Sequence, residues 1–218
     1  GGMLDKFIGD AMMAGFGVPL PSEDAADAAV RSSIAMISQL RKWNADRLKT
    51  DKMPVGMGVG VNTDNVVTGN IGSSKRMDFT MIGDGVNLAA RLEGSCKTYG
   101  AQIIISEFTQ TKLKGIYALR ELDRIVVKGK TEPVSIFEVL DFHDDETFPA
   151  RMDVVGHFTE GLAHYRNTKF DDAIKSFKAA LDANSEDVPS KLYIERCELF
   201  KKSPPPKDWS GEWVMTEK

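Results

Sequence analysis

The sequence predicts an α+β domain followed by a small all-helical appendage, and two observations carry this prediction. Up to about residue 140, short apolar runs bounded by turn residues alternate with two stretches of helical periodicity. From residue 157 onward, the apolar residues recur at helical spacing. The 218 residues suffice for one domain of ordinary size plus an appendage.

A β-hairpin and a long helix are predicted at the start of the chain. Residues 3–9 and 11–16 are expected to be strands joined by a Gly-Asp turn. A helix should then run from an N-cap at Ser22 to about Leu48. Its expected buried stripe consists of Ala26, Val30, Ile34, Ile37, Leu40 and Trp43.

Residues 55–62 alternate glycine with valine or methionine, which leaves one face of the predicted strand bare. Such a face allows close approach by a ligand or another backbone, and tight packing against a helix or a partner chain is the simpler interpretation. Further strands are predicted at residues 66–69, 77–82, 103–106, 119–127 and 134–140, with a short helix at 108–113.

Gly83, Asp84 and Gly85 form a predicted turn, and Asp84 is the predicted N-cap of a helix that starts there. Asn87 and Arg91 lie four residues apart on this helix. Residues at this spacing share one helix face, so an amide and a guanidinium would project together. The pair suits a ribose and a phosphate that gains charge during a reaction. Taken alone, however, such a pair is more often an ordinary solvated helix surface.

Four sequence blocks place this pair in a specific context. They are LDKFIGDAMMAGFG at 4–17, VGMGVGVNTDNVVTGNIGSSKRMDFTMIGDG at 55–85, IGDGVNLAAR at 82–91 and RIVVKGK at 124–130. Their order and spacing resemble the catalytic domain of class III nucleotidyl cyclases, most closely the cyanobacterial-type and soluble-type adenylate cyclases. The resemblance implies a ferredoxin-like βαββαβ-type domain over residues 1–141, whose first strand and helices come before Gly1 in the family.

The resemblance also implies a reaction and a set of roles. ATP would be converted to 3′,5′-cyclic AMP and pyrophosphate by attack of the ribose 3′-hydroxyl on the α-phosphate, assisted by two Mg²⁺ or Mn²⁺ ions at a homodimer interface. Arg91 would stabilise charge on the α-phosphate and Asn87 would orient the ribose. Lys128 would bind the terminal phosphates, and Lys130 is a weaker candidate for the same role.

Lys6 and Thr80 match the purine-selecting pair of the family. A lysine ammonium can only donate, and adenine N1 accepts, whereas guanine N1 carries a hydrogen. Thr80 can accept from the adenine 6-amino group. Guanylate cyclases of this class usually carry an acid at the lysine position, so the pair favours ATP as substrate.

Asp10 matches the second of the two metal-binding aspartates, in the turn of the first hairpin. The first such aspartate belongs to a strand and loop that precede Gly1 and Gly2 in the family. A polypeptide that truly lacks it is expected to be inactive. Two alternatives stay open. One is a guanylate cyclase, which Lys6 and Thr80 disfavour. The other is a nucleotide-binding regulatory module that is catalytically silent because it lacks the first aspartate.

The segment HFTEGLAHYRNTKFDDAIKSFKAALDAN, residues 157–184, resembles one tetratricopeptide-type repeat. A lone repeat cannot bury its apolar face, so it should dock on the catalytic domain, on a further helix or on another chain. Trp209 and Trp213 should anchor the tail. The predicted domains are therefore 1–141 and 157–218, with a linker at 142–156.

Composition and charge say little about function, but they bear on the partners and the location of the protein. A net charge of −4 gives no reason to expect a nucleic-acid polymer as partner. No apolar run approaches the roughly 18–20 residues that span a bilayer, so any membrane tether would lie in other segments of the parent protein. Cys96 and Cys197 are expected to be free thiols in a reducing compartment, which favours a cytoplasmic location.

Overall fold

The structure is a computed structural model that describes residues 1–73, 75–126 and 132–214. It divides into two compact units. The first comprises Gly1–Cys96 and Gln102–Tyr117, and the second comprises Lys97–Ala101 and Ala118–Lys218. Within the described residues, no helix is both long enough and apolar enough to cross a membrane.

The first unit holds two antiparallel hairpins, one parallel strand pair and the helices that follow them. Its elements are β1 (Met3–Ile8), β2 (Ala11–Gly15), α1 (Ala25–Leu48), β3 (Val59–Val61), β4 (Val67–Ser73), β5 (Arg76–Ile82), α2 (Asp84–Tyr99, whose last residues belong to the second unit), β6 (Ile103–Ser106) and α3 (Glu107–Gln110). Strand β1 pairs with β2, and β4 pairs with β5, both antiparallel, while β3 runs parallel to β6. The predicted elements are present in the predicted order.

Strand β3 packs directly against helix α2, which explains Gly60 in the strand and Gly58 just before it, whereas a Cβ atom on Gly56 would meet no atom within 4 Å. A Cβ atom on Gly60 would lie 2.2 Å from the carbonyl oxygen of Ala89 and 2.3 Å from the backbone nitrogen of Glu93. A Cβ atom on Gly58 would lie 2.9 Å from Cβ of Cys96. The bare strand face is thus filled by a helix, as the simpler interpretation expected.

Helix α1 begins later than predicted. Its N-cap is Asp24, which makes no side-chain capping hydrogen bond, whereas Ser22 Oγ accepts from the Asp24 amide at 3.3 Å. The predicted N-cap at Ser22 was therefore wrong by two residues. Trp43 is 49% exposed, so the buried stripe ends before it.

Besides the end of α2, the described residues of the second unit form β7 (Leu119–Val126), β8 (Val134–Val139), α4 (Arg151–Arg166), α5 (Phe170–Ala183), α6 (Val188–Lys202) and β9 (Trp213–Val214). Strand β7 is antiparallel to β8 and parallel to β9. Helix α4 begins inside the range predicted as a linker. The domain boundaries at 141 and 157, and the likeness of these helices to a tetratricopeptide repeat, stay predictions.

The C-terminal helices pack on one another and on strand β7. Their shared core consists of Phe158, Leu162, Tyr165, Ala173, Ile174, Phe177, Tyr193 and Cys197. The Tyr193 hydroxyl donates to the Leu122 carbonyl oxygen of β7 at 2.9 Å. Trp209 packs against this core, and Trp213 pairs with Ile125 of β7. The sequence left open whether the repeat-like segment docks on the catalytic domain, on a further helix or on another chain. In the structure it packs on helix α6, and α6 contacts strand β7.

Candidate functional site

Asp5 links Lys6 and Thr80, the two side chains predicted to select the base. Thr80 Oγ1 donates to Asp5 Oδ2 at 2.8 Å, and Lys6 Nζ lies 4.0 Å from the same oxygen. The Asp5 side chain is fully buried and Thr80 is 8% exposed, whereas the Lys6 side chain is 41% exposed. The structure therefore brings the predicted pair together on one carboxylate, with the ammonium open to solvent.

A β-bulge produces this arrangement. Leu4 pairs with Ala14 and Lys6 pairs with Met13, so the register shifts across Asp5. In a regular strand, residues 5 and 6 would point to opposite faces. A bulge adds one residue to a strand and changes the direction in which a side chain points. Here the Asp5 carboxylate lies 4.0 Å from the Lys6 ammonium.

An open recess of about 320 Å³ lies beside this cluster. Its described lining residues are Met3, Leu4, Asp5, Pro19 and Phe79. Four of them are apolar and the fifth is Asp5. Apolar walls with a few placed polar groups are typical of small-molecule sites, and here Asp5 is the polar group in the lining.

Asp10 lies at the exposed tip of the first hairpin. Gly9 precedes it with φ +66°, a left-handed conformation that glycine adopts without strain. Among the described residues, the Asp10 carboxylate has no hydrogen-bond or ion-pair partner, so its oxygens are available to a cation. No group of three or more His, Cys, Asp or Glu side chains in the described part of the chain is arranged to hold a metal.

Asn87 and Arg91 both lie on the exposed face of helix α2, and Leu88 and Leu92 are buried on the other side. Within the described residues, neither the Asn87 amide nor the Arg91 guanidinium has a side-chain partner. An unpaired guanidinium beside an amide is free to bind an anionic ligand. Asp84 is the first residue of the helix rather than its N-cap.

Asn62 fixes the turn from which helix α2 starts. Its Nδ2 donates to the Gly85 carbonyl oxygen at 3.0 Å, and its Oδ1 accepts from Ser106 Oγ at 2.6 Å. A Cβ atom on Gly85 would lie 2.4 Å from Cβ of Asp64, so this position requires glycine. The glycine-rich turn therefore serves close packing that holds the Asn87 and Arg91 face in place.

Lys128 and Lys130, predicted to contact the terminal phosphates, lie outside the described residues. Sequence reasoning missed Asp5 altogether. The available signal was a charged residue directly before Lys6 in an otherwise apolar strand.

The chain belongs to the family described as Adenylate and Guanylate cyclase catalytic domain, which it matches over residues 6–140. It is 33% identical over 201 residues to the "Adenylate cyclase, terminal-differentiation specific" of Dictyostelium discoideum, covering 90% of this chain and 9% of that protein. It is 40% identical over 146 residues to the "Adenylate cyclase" of Anabaena cylindrica, covering 64% of this chain and 28% of that protein.

Solved structures show the same mixed α+β fold. The crystal structure of the adenylyl cyclase CyaB from P. aeruginosa matches with a TM-score of 0.56 and 36% identity, over 66% of this chain and 74% of that chain. A guanylyl cyclase structure matches with the same identity, so the fold does not decide which base is used. The chain spans less than a third of the length of the two curated relatives described above.

Proposed function

We propose that this chain is the catalytic domain of an adenylate cyclase, which converts ATP to 3′,5′-cyclic AMP and pyrophosphate. The observation that carries the proposal is the meeting of Lys6 and Thr80 on the Asp5 carboxylate, beside an apolar recess. Family membership narrows the reaction to nucleotide cyclisation, and these side chains favour adenine over guanine.

Hydrogen-bond polarity is the basis of that preference. The Lys6 ammonium donates to adenine N1, and it would meet a hydrogen on guanine N1. Thr80 Oγ1 accepts from the adenine 6-amino group. A site built on such bonds discriminates strongly, because guanine would set its N1 hydrogen against the Lys6 ammonium and would offer no amino group to Thr80 Oγ1.

Asn87 and Arg91 act at the other end of the nucleotide. The ribose 3′-hydroxyl releases its proton to solvent or to the nucleotide, its oxygen attacks the α-phosphorus, and the bond from that phosphorus to the pyrophosphate oxygen breaks. Asn87 positions the ribose, and the unpaired Arg91 guanidinium stabilises the negative charge that develops on the α-phosphate. Lys128 is assigned to the terminal phosphates by its sequence match alone.

Asp10 would supply one carboxylate to a bound divalent cation. An exposed carboxylate without a partner fits this role, since Mg²⁺ and Mn²⁺ prefer oxygen ligands. Two such ions per site would supply charge neutralisation of the triphosphate.

The proposed assembly is a homodimer with two composite sites, each of which takes Asp10 from one subunit and the base, ribose and phosphate contacts from the other. Exposed apolar side chains on the hairpins of the first unit support an interface there. They include Leu4, Phe7, Ile8, Met12, Val67, Met77 and Ile82. Because ATP and reduced thiols both occur in the cytoplasm, we place the domain there.

Cyclic nucleotide production tests the proposal. The natural full-length protein is incubated with ATP or GTP and with Mg²⁺ or Mn²⁺, and cyclic AMP and cyclic GMP are quantified. Cyclic AMP from ATP in large excess over cyclic GMP from GTP is expected. A preference for GTP would establish the guanylate cyclase alternative, and nucleotide binding without any product would establish the silent module.

A further inference from the structure

Asp5 is a buried charged group to which the proposed reaction assigns no role. Its side chain is fully buried, and Oδ1 has no hydrogen-bond partner among the described residues. Its other oxygen takes the Thr80 proton and faces the Lys6 ammonium. Burying a carboxylate with an unpaired oxygen is costly, so such a residue at a ligand recess calls for a functional reason.

A threonine hydroxyl is ambiguous by itself, because it carries one proton and two lone pairs. It can accept from the amino group of adenine or donate to the carbonyl oxygen of guanine. A carboxylate removes the ambiguity, since it accepts and cannot donate. With its proton held by Asp5 Oδ2 at 2.8 Å, Thr80 can offer the base lone pairs and nothing else.

We infer that Asp5 is a specificity-determining residue, which holds the Thr80 proton so that the hydroxyl accepts from a 6-aminopurine and rejects a 6-oxopurine. The inference rests on the proposed function and deepens it. Asp5 is a positioning residue, because it acts on the base through Thr80. It also faces the Lys6 ammonium, whose donor character rejects the N1 hydrogen of guanine, so two contacts of the same cluster discriminate in the same direction.

The test compares Asp5→Ala, which removes the acceptor, with Asp5→Asn, which keeps one acceptor oxygen. The measured quantity is the ratio of kcat/KM for ATP to that for GTP in the natural full-length protein. We expect Asp5→Ala to lower this ratio about tenfold, the scale of one hydrogen bond, and Asp5→Asn to give an intermediate value. A residue needed merely for folding would lower turnover of both nucleotides and leave the ratio unchanged.

Combining the Asp5 substitution with Thr80→Val tests whether Asp5 acts on base selection through the Thr80 hydroxyl. In the Thr80→Val background, Asp5→Ala should change the ratio no further, because the proton that it would release is gone. A full effect of Asp5→Ala in that background would mean that Asp5 contacts the base directly and would overturn the inference. The exposed Asp46, on helix α1, provides a control, and Asp46→Asn should leave the ratio at the wild-type value.

Binding measurements separate this inference from the proposed activity. The relative affinity for 3′-deoxy-ATP and 3′-deoxy-GTP, which cannot cyclise, is measured by competition with a fluorescent nucleotide. Suppose that the wild type makes cyclic AMP, but that properly folded Asp5→Ala and Asp5→Asn variants keep both the wild-type ratio of kcat/KM for ATP to that for GTP and the wild-type relative affinity for the two 3′-deoxy nucleotides. The inference then fails and the proposed activity stands. If no cyclic product forms but the Asp5 variants lose adenine selectivity in binding, the inference stands without the activity. Failure of the wild type to bind either nucleotide would overturn both.

Discussion

Arg196 and Asp123 form a buried ion pair that joins helix α6 to strand β7. Arg196 Nη1 donates to Asp123 Oδ2 at 2.6 Å, and both side chains are at most 4% exposed. The Tyr99 hydroxyl donates to the same oxygen at 2.6 Å, and burial together with the Asp123 carboxylate raises the pKa of Tyr99, which keeps that proton in place. The guanidinium also lies 4.1 Å from the centroid of the Trp213 ring.

Replacement of Arg196 by methionine should therefore destabilise the second unit strongly. It leaves Asp123 buried without its cation, which costs about 3–5 kcal/mol in comparable buried pairs. The measurement is the free energy of unfolding in urea. On the same helix, Lys201 pairs with Asp171 at 2.7 Å in solvent, so Lys201→Met should change stability little. Equal effects of the two substitutions would show that the buried pair does not hold the helix.

Asp27 should make the first unit sensitive to acid. Burial opposes ionisation of this residue, but the amides of Lys114 and Gly115 and the Tyr117 hydroxyl donate to it at 2.9, 2.8 and 3.0 Å and lower its pKa overall. The ionised carboxylate thus contributes stability above its unfolded pKa of about 3.9, and this contribution is lost as the pH falls through the lower folded pKa.

We expect Asp27→Asn to cost about 2 kcal/mol near pH 7, because an amide offers one acceptor where the carboxylate offers two. The difference from wild type should narrow below about pH 4. Urea unfolding at several pH values measures it, with the exposed Asp46→Asn as control. A difference that stays constant down to pH 3 would contradict the account.

Arg91→Ala should lower kcat far more than it changes KM for ATP. An interaction made mainly in the transition state is lost from turnover, and removal of one charge-stabilising donor typically costs about 10²-fold or more. Steady-state kinetics of the natural full-length protein provide the measurement. Lys97→Ala, an exposed residue of the same helix, should leave kcat unchanged. A rise in KM alone would make Arg91 a ground-state contact instead.

Hydrophobic periodicity and turn residues correctly predicted most of the helices and strands. The features that the sequence did not predict have local physical causes. Gly58 and Gly60 correctly predicted close packing against a helix, because a bare strand face must be filled, whereas Gly56 has open space beside it. The start of α1 was misplaced since Ser22 and Asp24 are both good N-cap residues. Asp5 was missed because a β-bulge breaks the alternation from which strand faces are predicted. The site roles assigned by family resemblance stay predictions that the experiments above address.

Mixed dimers provide the most direct test that this chain contributes to a shared cyclase site. Asp10→Ala and Arg91→Ala variants of the natural full-length protein are each expected to be inactive, because each homodimer carries one lesion in both sites. In a mixed dimer one site contains both substitutions and the other site contains neither. Random pairing makes half of the dimers mixed, with one intact site of two, so about a quarter of the wild-type activity should return, and recovery should rise with protein concentration. Mixtures that stay inactive after confirmed subunit exchange would contradict the account.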